Sequence, residues 1–109
     1  MNTERIQALN KFLEENPEDS FCRFALALEY LSSGDVHRAR SFFEFIVQHD
    51  PAYTGVYYHL GKLYESEGLT QKALEIYQRG LDIAHKNQDL HLANELKDAI
   101  SEWSINHDT

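Results

Sequence analysis

Few residues in this chain have side chains that could carry out chemistry. Cys22 is the single thiol in 109 residues, and the histidines are His37, His49, His59, His85, His91 and His107. A cysteine beside a histidine makes a nucleophile when an acid orients the ring and backbone amides receive the oxyanion. Neither companion is apparent around Cys22, which reads instead as a small hydrophobe packed on a helix. A helical metal site needs paired ligands on one face, and no two of the histidines are three or four residues apart. They read as scattered surface residues. A phosphate cradle needs clustered glycines, whereas Gly61, Gly68 and Gly80 are widely spaced. The acidic runs Glu14-Glu15 and Glu65-x-Glu67 read as solvated helix faces. The expectation is a chain without catalytic residues, cofactor or metal, and not an enzyme.

Recognition is the remaining class, so the elements that would position a binding surface come next. Five glycines and two prolines are a small share of 109 residues, which favours long helices over a turn-rich sandwich or barrel. Six Tyr, six Phe and one Trp supply ample core material, against disorder. A formal net charge of −8 with no basic run speaks against nucleic acid and against anionic membrane surfaces. A lone cysteine forms no internal disulfide, no signal-peptide core opens the chain, and no run is long enough to span a bilayer. The expected compartment is the cytoplasm.

The chain repeats itself at an interval of 34. Pro17 and Pro51, Leu26 and Leu60, Ala27 and Gly61, and Tyr30 and Tyr64 are pairs at that spacing. Gly34 and Gly68, Ala39 and Ala73, Phe43 and Tyr77, and Val47 and Leu81 continue the series. Each unit reads as two helices. In the first unit Asn16 is the expected cap, with Pro17 in the first turn, and Phe24, Leu26, Ala27, Tyr30 and Leu31 form the apolar stripe. Gly34 stops that helix and Asp35 caps the next, whose stripe is Ala39, Phe42, Phe43, Ile46 and Val47. The second unit runs from Tyr57 to Gly68, with Thr70 as expected cap before Ala73, Leu74, Tyr77, Leu81 and Ala84. Small residues at 27, 39, 61 and 73 let paired helices approach closely.

This pattern resembles the tetratricopeptide repeat, a 34-residue helix-turn-helix unit. Leu26, Ala27, Tyr30, Gly34, Ala39, Phe43 and Pro51 match it in the first unit. Tyr57, Leu60, Gly61, Tyr64, Gly68, Ala73 and Tyr77 match it in the second. Arg23 stands where the first aromatic belongs, Ile46 where Ala is usual, and His85 where the closing Pro belongs. The resemblance implies an all-α solenoid of one domain: a half-repeat helix over 3–15, repeats over 20–53 and 54–87, and a capping helix over 89–104. The first of these would bury Ile6, Leu9, Phe12 and Leu13, and the last Leu92, Ala93, Leu96, Ala99, Ile100 and Trp103. Counting on by 34 puts polar His91, Asn94, Glu95 and Asp98 at buried positions, so the register must slip after Ala84.

The resemblance also implies a function: a non-catalytic module binding a peptide segment of a partner protein on the concave face. The family's groove positions fall on Phe21, Phe24, Ala25 and Leu28, then on Gly55, Tyr58, His59 and Lys62. The expected peptide site is Phe21, Phe24, Leu28, Tyr58, His59 and Lys62, suited to apolar or basic anchors. Repeats that capture acidic chaperone tails carry Lys, Asn and Asn where this chain has Phe24, Leu28 and His59, and Lys and Arg in a third helix where it has Asp89 and Ala93 without a slip, so that ligand is not expected. Phe21, Phe24 and Leu28 could instead pack under residues 3–15. The alternative function is a self-associating scaffold, a homodimer through the apolar strip or the cap helix.

Overall fold

The computed structural model describes residues 3–107, with side chains to residue 105. Its elements are α1 (Thr3–Glu15), α2 (Ser20–Ser32), α3 (Val36–His49), α4 (Gly55–Ser66), α5 (Thr70–Lys86) and α6 (Leu90–His107). All are helices, and none is long and apolar enough to cross a membrane. The chain falls into two compact units, Met1–Tyr53 and Thr54–Thr109, dividing where the second 34-residue unit begins.

In the first unit α2 packs on α3, with α1 laid against α2. Leu26, Ala27, Ala39, Phe43 and Ile46 are almost wholly buried, with Tyr30 and Val47 close behind. The start of α2 corrects the expected cap. Asp19, not Asn16, stands at its N-terminus and accepts the Cys22 amide at 2.7 Å. Asn16 instead turns back to donate to the Phe12 carbonyl, and Pro17 lies in the intervening turn. An aspartate one residue before the helix can reach the orphan third amide; Asn16 is three residues too early. Asp35 caps α3 as expected, accepting from the Arg38 amide at 3.2 Å.

Turn chemistry is shared between the units. Gly34 and Gly68 adopt φ of +86° and +75°, a region that glycine enters at no steric cost. Each donates to the carbonyl three residues back, and the next amide closes the helix end onto Tyr30 or Tyr64. This is the paired closure of a Schellman motif. A third such turn has Gln88 at φ +58°, with Gln88 and Asp89 donating to His85 and Ala84.

In the second unit α4 packs on α5 and α5 on α6. Val56, Tyr57, Leu60, Ala73, Tyr77, Ala84 and Leu96 form the centre of its core. Two glycines of this unit make room for aromatic rings. A Cβ on Gly61 would lie 2.1 Å from the Tyr77 ring, and one on Gly80 would lie 2.6 Å from the Tyr57 Cβ. Gly80 was not marked by the repeat, because its counterpart is Ile46. The expected cap Thr70 is the first residue of α5; Leu69 holds the cap position, without a side-chain hydrogen bond.

The register slip has a definite size. α5 runs through His85, where the first unit places Pro51, so the helix continues to Lys86. Leu92, Ala93, Leu96 and Ala99 are buried in place of Val56, Tyr57, Leu60 and Leu63, thirty-six positions on rather than thirty-four. His91, Asn94 and Asp98 accordingly lie on the exposed side, with Glu95 half-buried. Asp89 caps α6, accepting from the Leu92 amide at 3.1 Å. Phe12, expected in the stripe of α1, is 47% exposed.

Candidate functional site

Cys22 is buried in α2, and its thiol donates to the Leu9 carbonyl at 3.1 Å. Burial, then the charge of Asp19, pushes its pKa up, which keeps it the neutral thiol. Among the described residues no group of three or more His, Cys, Asp or Glu is placed to hold a metal ion. The side chain of His107 lies outside the described residues. The sequence-predicted binding residues lie on two faces, one on α2 in the first unit and one on α4 in the second.

On α2, Phe21, Phe24 and Leu28 recur at spacings of three and four and so share one face. Phe21 is 68% exposed. The helix over 3–15 leaves it open, which removes the expectation that the whole strip is packed beneath that helix. Phe24 is half-buried, its ring centroid 5.8 Å from that of Phe43 and 5.6 Å from that of Tyr53. Leu28 is half-buried as well, and Ala25 is core. The α2 face thus has a free aromatic at its start and a fixed one a turn later.

On α4, Tyr58, His59 and Lys62 are all half-buried, while Gly55 is exposed. The Tyr58 and His59 rings meet edge-on at 5.8 Å, and the Lys62 ammonium lies 5.6 Å from the Tyr58 ring centroid. Lys62, the cation at the edge of this face, is already paired. Its Nζ lies 3.2 Å from Glu102 Oε2 and 3.7 Å from Glu65 Oε2. Burial pulls the Lys62 pKa down, but the hydrogen bond it donates to Glu102 and both carboxylate charges outweigh it and leave the net shift upward. Behind this pair, the buried Tyr77 hydroxyl donates to Glu65. Glu102 is forty residues from Lys62 in sequence, so only the packing of α6 reveals the pair.

Burial lowers the His59 pKa, partly offset by the negative charge of Glu95. A histidine whose folded pKa lies below its unfolded one contributes stability at high pH that is lost as pH falls through 6.5 and below. The expected result is an imidazole titration midpoint below the ordinary 6.5 in NMR, lowered further by Glu95→Gln. A midpoint at or above 6.5 would contradict the burial account.

The tetratricopeptide repeat family model matches residues 30–99. The TPR repeat-containing protein PA0015 of Pseudomonas aeruginosa is 30% identical over 91 residues, covering 84% of this chain and 87% of that protein. The crystal structure of a tetratricopeptide repeat domain protein from Salinibacter ruber is 41% identical, with a TM-score of 0.76 over 80% of this chain and 97% of that one. The solution structure of protein BPP2914 from Bordetella parapertussis shares the fold at 21% identity and a TM-score of 0.78, over 93% and 88% of the two chains.

Proposed function

This chain belongs to the tetratricopeptide repeat family, and from that premise we propose that it is a non-catalytic cytoplasmic module that binds a peptide segment of a partner protein. The repeat fold is that of a protein–protein interaction module. The binding surface is the pair of helix faces that this family turns toward its concave groove: Phe21, Phe24 and Leu28 on α2, and Tyr58, His59 and Lys62 on α4. The observation that carries the reading is the Phe21 ring, 68% exposed, one turn before a half-buried Phe24 held in tilted contact with Phe43 and Tyr53. An aromatic left in water next to a pre-ordered one is a ready anchor position, because aromatics dominate interface energetics.

The chemistry around Lys62 supports the choice of ligand. With Glu65 and Glu102 on its ammonium, Lys62 has little charge left for a carboxylate, and a basic partner residue meets Glu102 instead. The chaperone-tail ligand finds no support either. After the two-residue slip its third-helix positions fall on His91 and Glu95, not on a Lys and an Arg.

Replacing Tyr58 and Lys62 together by Ala should abolish partner capture from native cell extract while leaving the helical circular dichroism intact. Undiminished capture would remove α4 from the interface. A second reading, a homodimer, is favoured by Leu90 and Ile105 of α6, which are 74% and 77% exposed. Sedimentation at dilute concentration separates the two, since a peptide module remains a monomer there and the dimer does not.

A further inference from the structure

Arg23 departs from the repeat pattern, and its surroundings differ from those of its counterpart. Thirty-four residues on, Tyr57 is fully buried against Gly80, whose missing side chain leaves it space. In the first unit Ile46 stands at the position of Gly80 and is itself buried. The side chain of residue 23 cannot take the seat that Tyr57 takes. Arg23 runs outward, and its guanidinium carbon lies 4.0 Å from the centroid of Phe45, which is 39% exposed. Phe45 in turn corresponds to Arg79. The aromatic and the cation have exchanged places between the two repeats, and the exchange puts the aromatic on the surface.

The result is a groove of about 280 Å³ lined by Leu13 of α1, Arg23 of α2, and Ser41, Phe42 and Phe45 of α3. At about 100° per residue Arg23 lies opposite Phe21 on α2 and is turned about 100° from Phe24 and about 140° from Leu28, so it is off the face that those three share. Three of the five lining residues are apolar. The guanidinium donates once, from Nη1 to the Pro17 carbonyl. No carboxylate among the described residues lies within ion-pair distance of it, and its remaining N–H donors face no protein acceptor there.

We propose that this groove is a second docking site, which takes one apolar side chain of a partner protein with a carboxylate beside it. The apolar side chain lies among Leu13, Phe42 and Phe45, and the carboxylate pairs with the free edge of Arg23. Charge complementarity selects the occupant. A planar cation already clamped on an aromatic face recognises a carboxylate bidentately and loses little side-chain entropy in doing so. Size selects its class, because the volume is below the ~300 Å³ at which pockets begin to hold whole small molecules, and suits one side chain of a larger partner. The chain's net charge of −8 opposes an acidic ligand at long range, but beyond about 8 Å such repulsion is screened at physiological salt.

The test is a ¹H–¹⁵N NMR titration of the full chain with acetyl-Gly-Phe-Asp-amide and with its Asn counterpart, which lacks only the charge. The Asp peptide is expected to shift the amides of Leu13, Ser41, Phe42 and Phe45 and the Arg23 Nε–H resonance. It should bind about tenfold more tightly than the Asn peptide. Arg23→Gln should bring the Asp peptide down to the level of the Asn peptide, and Phe45→Ala should weaken both, with helical circular dichroism unchanged in each variant. The proposal is overturned by equal binding of the two peptides, by indifference to Arg23→Gln, or by no shifts at several millimolar. Shifts confined to Phe21, Phe24 and Leu28, or to Tyr58, His59 and Lys62, would also overturn it while leaving the peptide-binding reading of those faces standing.

Discussion

Gly80→Ala is expected to destabilise the protein by about 1–3 kcal/mol, against a helix-propensity gain of about 1 kcal/mol. The sign is the informative part. In an exposed helix the added methyl would stabilise. At position 80 it would lie 2.6 Å from the Tyr57 Cβ and 2.9 Å from a Leu96 methyl, so it meets side chains from both helices that flank α5. A Cβ cannot swing aside by a change of rotamer; the helix axes must part. Urea unfolding is expected to show a lower midpoint with an unchanged slope. An equal or higher midpoint would mean that α4 and α6 yield at little cost. Gly61→Ala offers the comparison, because the three atoms nearest its methyl would all belong to the Tyr77 ring. Tyr77→Leu in the same chain should relieve the Gly61 variant and not the Gly80 one.

Tyr77→Ala carries the second large effect, about 3–5 kcal/mol, since it empties the space of a fully buried ring. The hydroxyl contributes a separable part. Burial foremost, then the hydrogen bond and negative charge of Glu65, drive the Tyr77 pKa far above its ordinary value. The group is a neutral donor at any working pH. Tyr77→Phe keeps the ring and takes the donor from Glu65, whose side chain is only 18% exposed, and is expected to cost about 1–3 kcal/mol. Denaturation of both variants measures the two parts. If Tyr77→Phe is as stable as the parent, the bond to Glu65 contributes nothing and the ring alone matters.

How much of this was legible in sequence depended on whether a local rule or a distant neighbour decided the outcome. Gly34, Gly68 and Asp35 were readable because a left-handed turn and a helix start each restrict residue type within four positions. The cap of α2 was misread for a local reason: Asn16 and Pro17 look like a helix start, but they close α1 and turn the chain before Asp19. Spacing showed that the register slips beyond Ala84. Its size needed the structure, because a helix lacking the proline at position 85 can end at any of several residues. Least legible was the state of Lys62. Its type and position mark a cation at the edge of the α4 face, but the carboxylate that accepts from it lies forty residues on, in α6. Gly80 was hidden for the opposite reason, as a singular residue in a pattern read through repetition.

Trp103 is the only tryptophan, and its indole Nε1 donates to the Thr70 carbonyl at 3.1 Å, both residues belonging to the unit Thr54–Thr109. Ultraviolet emission from the indole therefore reports on one half of the molecule, whereas ellipticity sums over all six helices. The chain carries its own internal control for cooperativity. When the two signals trace superimposable denaturation curves, the halves melt as one thermodynamic body. When they separate, the gap between them measures the coupling between neighbouring repeats without any label being introduced.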